Sequence, residues 1–105
     1  MGDPIEMDYL GRKFDMPEDL EEKKGINAPK LFLDTNQHVN NAKYLALAEE
    51  FLPDDFVARR IRTEYKAPAR YGDLMRPFIK SEGNTFYASI RGEGDIIYCN
   101  MIIEK

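Results

Sequence analysis

Cysteine and histidine are scarce in this chain of 105 residues, which has one of each. The single cysteine, Cys99, has no partner for an internal disulfide, which is typical of proteins of the reducing cytoplasm. With His38 as the single histidine, a tetrahedral zinc site built from Cys and His ligands is excluded within one chain. We therefore expect neither a metal nor another cofactor.

Long apolar runs are missing too, since the longest fall far short of the ~18 residues that a membrane-spanning helix needs. No charged-then-apolar leader opens the sequence, so we expect a cytoplasmic protein with no membrane partner. A basic surplus is also absent, because the net charge is −4. That charge lies in residues 1–28, with eight acids and four bases, while residues 29–105 hold eleven of each. Because residues 29–105 carry no net charge, nucleic acid is not expected as the main partner.

The remaining composition is that of a soluble globular protein, with 43% hydrophobic and 32% charged residues. A chain of this length has room for one domain. Residues 1–28 mix Pro, Gly and charge without a sustained period. We interpret them as a linker or N-terminal arm, with a short turn of helix around 18–24. Residues 29–105 are predicted to form the domain.

One helix is predicted near the middle of the chain. Apolar residues recur at helical spacing from Tyr44 to Leu52, and Tyr44 is expected in the core. Asn40 or Asn41 is a natural N-cap for this helix, and Pro53 ends it.

Strands are predicted on both sides of the helix. Those after it alternate with a period of two or are mostly apolar, and turn residues separate them. One strand, a helix and four strands joined mainly by short turns predict an α+β fold, with an antiparallel five-stranded sheet wrapped round one central helix. The predicted strands are Lys30–Leu33, 57–66, 74–80, 85–91 and 96–103.

Three polar residues between the first strand and the helix carry the chemistry, namely Asp34, Asn36 and His38 at i, i+2 and i+4. In an extended segment their side chains leave from one face and converge on one site. His38 can take or give a proton near neutral pH. Asp34 can orient the imidazole or a water molecule, and Asn36 can align that water. The residue types are those of acyl transfer to water.

The start of the helix can contribute an oxyanion site. Its free N–H groups, which we assign to Val39, Asn40 and Asn41, and its positive dipole end can stabilise a developing negative charge. Local composition alone leaves other interpretations open. A lone histidine beside Asp and Asn is more often a loop or cap network, and Asn40 and Asn41 are more often caps than ligands.

Two further features allow a functional and a structural interpretation. Basic residues are dense in the stretch 59–80, which is either a solvated strand face or a docking surface for an acidic partner. The candidate docking residues are Arg59, Arg60, Arg62 and Lys66. Cys99 alternates with Ile97 and Met101 in the last strand, which favours a packed thiol over a nucleophile.

The run LDTNQHVNNAKY at 33–44 resembles the D-x-N-x-H-V-N-N-x-x-Y signature of plant and bacterial acyl-(acyl carrier protein) thioesterases. The run EYKAPARYGD at 64–73 is similar to the strand and Gly-Asp turn of hotdog thioesterases. The resemblance covers about residues 5–105 and is to the second of two hotdog repeats. It implies a hotdog fold, hydrolysis of acyl carrier protein (ACP) thioesters that ends fatty acid synthesis, and Asp34, Asn36 and His38 as catalytic residues.

The chain departs from that family in two respects. Plant members have a Glu-Cys pair after the Glu-Tyr strand, where this chain has Pro68 and Ala69. The first hotdog repeat is absent from these 105 residues, so we expect a domain that pairs with itself as a homodimer, or an excised half. An acyl-CoA thioesterase and a non-catalytic acyl-binding half of a two-hotdog protein remain alternative functions.

Overall fold

The structure, a computed structural model, describes residues 6–8, 16–34 and 37–105. They form one α-helix, α1 (Asn41–Glu49), two short 3₁₀ turns and seven strands. No helix in this described part is long and apolar enough to cross a membrane. The strands are β1 (Glu6–Asp8), β2 (Glu21–Glu22), β3 (Ile26–Asn27), β4 (Arg60–Tyr65), β5 (Leu74–Glu82), β6 (Thr85–Arg91) and β7 (Ile97–Glu104).

The strands form one mostly antiparallel sheet in the order β1-β4-β7-β6-β5-β2, with β3 also paired to β5. The four long strands β4–β7 are antiparallel to their neighbours, whereas β1 runs parallel to β4. The α+β prediction is confirmed. The strand count exceeds the predicted five because short segments pair along both edges, which leaves fewer backbone groups of β4 and β5 unpaired.

The helix is predicted well at its start and less well at its end. Asn40 is the N-cap, and its side-chain oxygen accepts a hydrogen bond from the Ala42 N–H at 2.9 Å. Regular α-helix ends at Glu49, before the expected Leu52. The N–H groups that follow bond to carbonyls three residues back, as in the bond from Leu52 to Glu49. The last turn is therefore of the tighter 3₁₀ type that often closes a helix.

Two local predictions are wrong, and the structure shows why. Residues 18–24 form no helix, because β2 pairs with Phe78 and Ile79 of β5. A stretch this short nucleates a helix poorly, so strand pairing prevails. Lys30–Phe32 form a 3₁₀ turn after Pro29 instead of a strand. The domain boundary at residue 28 stays a prediction, and strand pairing already begins before it.

The core lies between α1 and one face of the sheet. The helix contributes Tyr44, Leu47 and Ala48, all buried, and packs on β5 and β6. Strand residues on the inner face alternate with residues on the face away from the helix, here called the outer face. Inner-face side chains in this core include those of Met75, Ile79, Phe86, Ile90, Met101 and Ile103.

Candidate active site

The predicted site lies where the chain doubles back before α1. Leu33 and Val39 face each other as an antiparallel bridge. The Asp34 N–H donates to the His38 carbonyl at 2.9 Å, and the Gln37 N–H donates to the Asp34 carbonyl at 3.2 Å. Gln37 has a φ of 65°, in the left-handed region that tight turns use. The expected extended geometry is therefore wrong, and Asp34 and His38 meet across a turn.

Two of the three predicted catalytic residues line one cavity of about 340 Å³. Asp34 and His38 are both partly buried there, and the His38 backbone N–H lies 3.4 Å from Asp34 Oδ1. Asn36 lies outside the described residues, so its place in the site stays a prediction. The other lining residues are Val39, Asn41, Tyr44, Tyr65, Lys66, Ala67 and Pro68.

The segment after β4 forms the second wall of the cavity. His38 forms a bridge with Arg70, and the Val39 N–H donates to the Ala69 carbonyl at 2.8 Å. Pro68, the residue at the position where the sequence resemblance implies a glutamate, lines the cavity, so Asp34 is the one carboxylate among the described lining residues. Nowhere in the described ranges do three His, Cys, Asp or Glu side chains cluster in a way that could hold a metal ion.

The helix start offers fewer oxyanion donors than expected. The Val39 N–H is bonded to Ala69, and the Asn40 N–H donates to the Phe32 carbonyl at 2.8 Å. Within residues 6–8, 16–34 and 37–105, the Asn41 N–H has no hydrogen-bond partner. Asn41 is the first residue of α1 and lines the cavity. Its N–H is therefore a hydrogen-bond donor located at the positive end of the helix dipole.

Two tyrosines, Tyr44 and Tyr65, line the cavity, and Tyr98 contacts Tyr44 from outside the lining. The ring of Tyr44 lies 6.0 Å from that of Tyr65 and 6.5 Å from that of Tyr98, centroid to centroid. Tyr44 is 2% exposed, as the prediction of a core residue requires. Its hydroxyl oxygen nevertheless accepts a hydrogen bond from the Ala69 N–H at 2.9 Å. Burial raises the pKa of the Tyr44 hydroxyl, while this hydrogen bond partly opposes the rise, so Tyr44 stays neutral at neutral pH.

The predicted docking residues form two groups, three arginines at or before β4 and one lysine in the cavity lining. Arg59 is exposed just before β4, and Arg60 and Arg62 lie partly buried on the outer face. Arg62 lies 4.0 Å from Glu104, so part of this charge is compensated. Of the four docking residues, Lys66 is the one in the described cavity lining. Docking of an acidic partner stays a prediction.

A row of buried polar residues crosses the outer face beside Lys66, and alternation alone would have predicted it exposed. Arg91 Nε donates to Ser89 Oγ at 3.0 Å, and Ser89 Oγ donates to Asn100 Oδ1 at 2.7 Å. Asn100 Nδ2 lies 3.4 Å from Glu64 Oε1, and Glu64 is only 6% exposed. Lys66 Nζ is 3.9 Å from Glu64 Oε2. The row therefore holds the Glu64 carboxylate that positions Lys66 at the cavity.

Cys99 is packed in the core, as predicted, and does not line the cavity. Burial, followed by the nearby Glu64 charge, raises the pKa of the thiol, so the thiol stays protonated well above the ~8.5 of a free cysteine. We expect the native protein to resist iodoacetamide at neutral pH and to react once unfolded in urea, as measured by mass spectrometry. Cys99→Ala should leave any hydrolysis within a few-fold. Equal labelling of native and unfolded protein would contradict the packed assignment.

Comparison with known proteins gives a consistent result. The family model described as the acyl-ACP thioesterase C-terminal domain matches residues 18–104. The crystal structure of an acyl-ACP thioesterase from Bacteroides thetaiotaomicron VPI-5482 is similar with a TM-score of 0.71 and 20% identity, over 87% of this chain and 42% of that one. The 12:0-ACP thioesterase from Umbellularia californica is similar with a TM-score of 0.74 and 22% identity, over 89% and 38%. No curated protein sequence matches.

The two structural likenesses bear on the fold. At these identities they show that the chain has the hotdog fold, which the sequence resemblance implied. The chain spans about two fifths of the length of either solved structure.

Proposed function

The chain belongs to the acyl-ACP thioesterase family through that family's C-terminal domain, and from this premise we propose that it hydrolyses the thioester of fatty acyl-ACP and so ends fatty acid synthesis. One observation carries the proposal. Asp34 and His38 meet in a cavity that also receives the start of α1. A proton-handling group, an acid to orient it and a helix-start donor are the parts that hydrolysis of an acyl group needs.

The first step adds water to the thioester. His38 takes a proton from a water molecule while the water oxygen bonds to the carbonyl carbon, and the carbonyl π electrons move to its oxygen. Asp34 orients the imidazole or the water, and Asn36 helps to align that water. The Asn41 N–H donates a hydrogen bond to the new oxyanion.

The second step releases the products. The oxyanion collapses to a carbonyl, the carbon–sulfur bond breaks, and the leaving thiolate takes the proton that His38 holds. A free fatty acid and the carrier thiol result, and His38 returns to its neutral form. No covalent enzyme intermediate is needed, in keeping with the burial of Cys99.

The carrier is proposed to be ACP, with coenzyme A as the alternative. Both bring negative charge, and the described lining of the cavity includes the cationic side chain of Lys66. A folded acidic carrier is large enough to contact Arg59, Arg60 and Arg62 as well. The smaller coenzyme A depends less on these three arginines. The unpaired Cys99 supports a cytoplasmic location.

The decisive experiment is a panel of acyl thioesters incubated with the purified chain, with thiol release as the readout. The panel combines several acyl lengths on ACP and on coenzyme A. We expect release from acyl-ACP, faster than from the matching acyl-CoA, and loss of release in Asp34→Ala. Equal or faster release from coenzyme A would favour the alternative carrier. No release from any thioester would favour a non-catalytic acyl-binding half.

The proposal includes a homodimer. Large apolar side chains remain exposed on the single chain, with Leu31 74%, Val57 65% and Tyr71 65% accessible. A stable pair should bury at least ~1,000 Å² in total. Light scattering at micromolar concentration should therefore report twice the 12.2 kDa of one chain. A stable monomer at that concentration would contradict the dimer and favour the excised-half interpretation.

A further inference from the structure

The hydroxyl of Tyr44 combines three properties that packing of the ring alone does not explain together. It is buried, it belongs to a residue that lines the cavity of Asp34 and His38, and its oxygen accepts a hydrogen bond from the Ala69 N–H at 2.9 Å. The neighbouring rings of Tyr65 and Tyr98 hold the phenol in one orientation. The phenol of this lining residue is therefore held in place.

The proton of this hydroxyl has a restricted set of directions. A tyrosine hydroxyl both accepts and donates, and here the Ala69 N–H occupies the accepting side. Among the described residues, none accepts a hydrogen bond from the Tyr44 hydroxyl. A buried donor without a partner costs free energy, so such a donor in a cavity wall is a sign of a ligand. The bond from Ala69 also polarises the hydroxyl and strengthens it as a donor.

We infer that the Tyr44 hydroxyl donates a hydrogen bond to the carbonyl oxygen of the bound thioester and, with the Asn41 N–H, forms a two-donor oxyanion site. This inference rests on the proposed function and adds a catalytic residue to it. Asn41 and Tyr44 occupy the first turn of α1 on the same helix face, three positions apart. The helix thus contributes two residues to the lining of the same cavity, one with a backbone donor and one with a side-chain donor.

Tyr44 keeps its proton throughout the reaction. When water adds, the carbonyl π electrons move to the oxygen and its bonds to both donors become shorter and stronger. When the carbon–sulfur bond breaks, those electrons re-form the carbonyl. Proton transfer remains with His38, and burial keeps the Tyr44 hydroxyl neutral.

A purely structural role for Tyr44 makes a different prediction. Through Ala69, Tyr44 also anchors the second wall of the cavity, so its loss could act on substrate binding alone. A donor to the oxyanion acts on kcat, because its bond strengthens only as the charge develops. The two roles are therefore separated by the division of the effect between KM and kcat.

The experiment compares Tyr44→Phe with wild type on the best acyl thioester of the panel. Phenylalanine keeps the ring packing and removes the hydroxyl, and we expect kcat to fall by about 100-fold with KM within a few-fold. Tyr98→Phe is the matched control. It removes a hydroxyl from the same aromatic cluster, but that hydroxyl lies against Gly92 and its residue does not line the cavity. Its kcat should stay within a few-fold of wild type.

A binding measurement adds a second readout. A trifluoromethyl ketone in place of the thioester hydrates to a tetrahedral species, whereas a thioether analogue has no carbonyl oxygen. Tyr44→Phe should weaken the ketone by about 10-fold or more and leave the thioether unchanged. If kcat is unchanged, or if both analogues weaken equally, the inference is overturned while hydrolysis by wild type still stands. If wild type is inactive, the proposed function fails first.

A folding defect would not remove the test. If circular dichroism shows that Tyr44→Phe is unfolded, 3-fluorotyrosine at position 44 replaces it. The fluorine makes the hydroxyl more acidic and keeps both of its hydrogen bonds, so kcat should change by about two-fold or more with KM constant. An unchanged kcat in that variant overturns the inference.

Discussion

His38→Ala is expected to hydrolyse acyl-ACP at least ~100-fold more slowly than wild type, because general acid–base groups contribute about 10²–10⁴-fold. The loss corresponds to about 3–5 kcal/mol of activation free energy. The melting temperature should move little, since the His38 side chain is partly exposed in a turn and its backbone forms the contacts to Asp34 and Arg70. Initial rates and a thermal melt of each variant measure the two quantities.

The matched control for His38→Ala is Arg70→Ala. Arg70 bridges His38 through the backbone and its side chain is exposed, so removing that side chain should leave the rate within a few-fold. Asp34→Asn should also lower the rate, because an amide holds a cationic imidazole less well than a carboxylate does. Wild-type activity in His38→Ala would contradict the assignment of His38 as the residue that transfers the proton.

The sequence predicts those parts of the fold that local patterns determine. Alternating or mostly apolar runs between turn residues locate β5, β6 and β7 within one or two residues. The alternating stretch predicted at 57–66 begins three residues before β4. The cap of α1 is equally local, because Asn40 bonds to a backbone group only two residues away.

Features that depend on distant partners were not predictable in the same way. Residues 21–22 become a strand only because β5 offers an edge more than fifty residues later in the chain. The burial of Glu64 requires Asn100, which β7 brings to the position directly opposite. The available signal was a polar residue at paired positions of three neighbouring strands, namely Glu64, Asn100 and Ser89. This signal can be recognised only when the strand register is known.

The site shows the same division. The residue types at 34–38 predicted the chemistry, but the argument from i, i+2 and i+4 assumed an extended backbone, whereas Gln37 adopts a positive φ. Asp34 and His38 still meet, because a turn brings its two ends together. The Tyr44 hydroxyl was overlooked because helical periodicity assigns the ring to the core and says nothing about the polar tip.

Phe86→Ala is expected to destabilise the fold by about 3–5 kcal/mol, the usual cost of truncating a buried phenylalanine. Phe86 is 1% exposed on the inner face of β6, opposite Ile103 and edge-to-face with Phe56 at 6.3 Å. It also lines a second cavity, of about 460 Å³, so the space left by the ring would enlarge that cavity. Adjacent strands β5 and β7 restrict collapse of the backbone around it.

The effect is large because domains of this kind are stable by only about 5–15 kcal/mol. Urea unfolding followed by circular dichroism should show a lower midpoint with an unchanged slope, since the surface exposed on unfolding is nearly the same. Tyr87→Ala is the matched control, because Tyr87 is the next residue of β6 and lies partly buried on the outer face. It should cost much less than Phe86→Ala. Equal costs for the two variants would mean that the core does not lie between α1 and the inner face of the sheet.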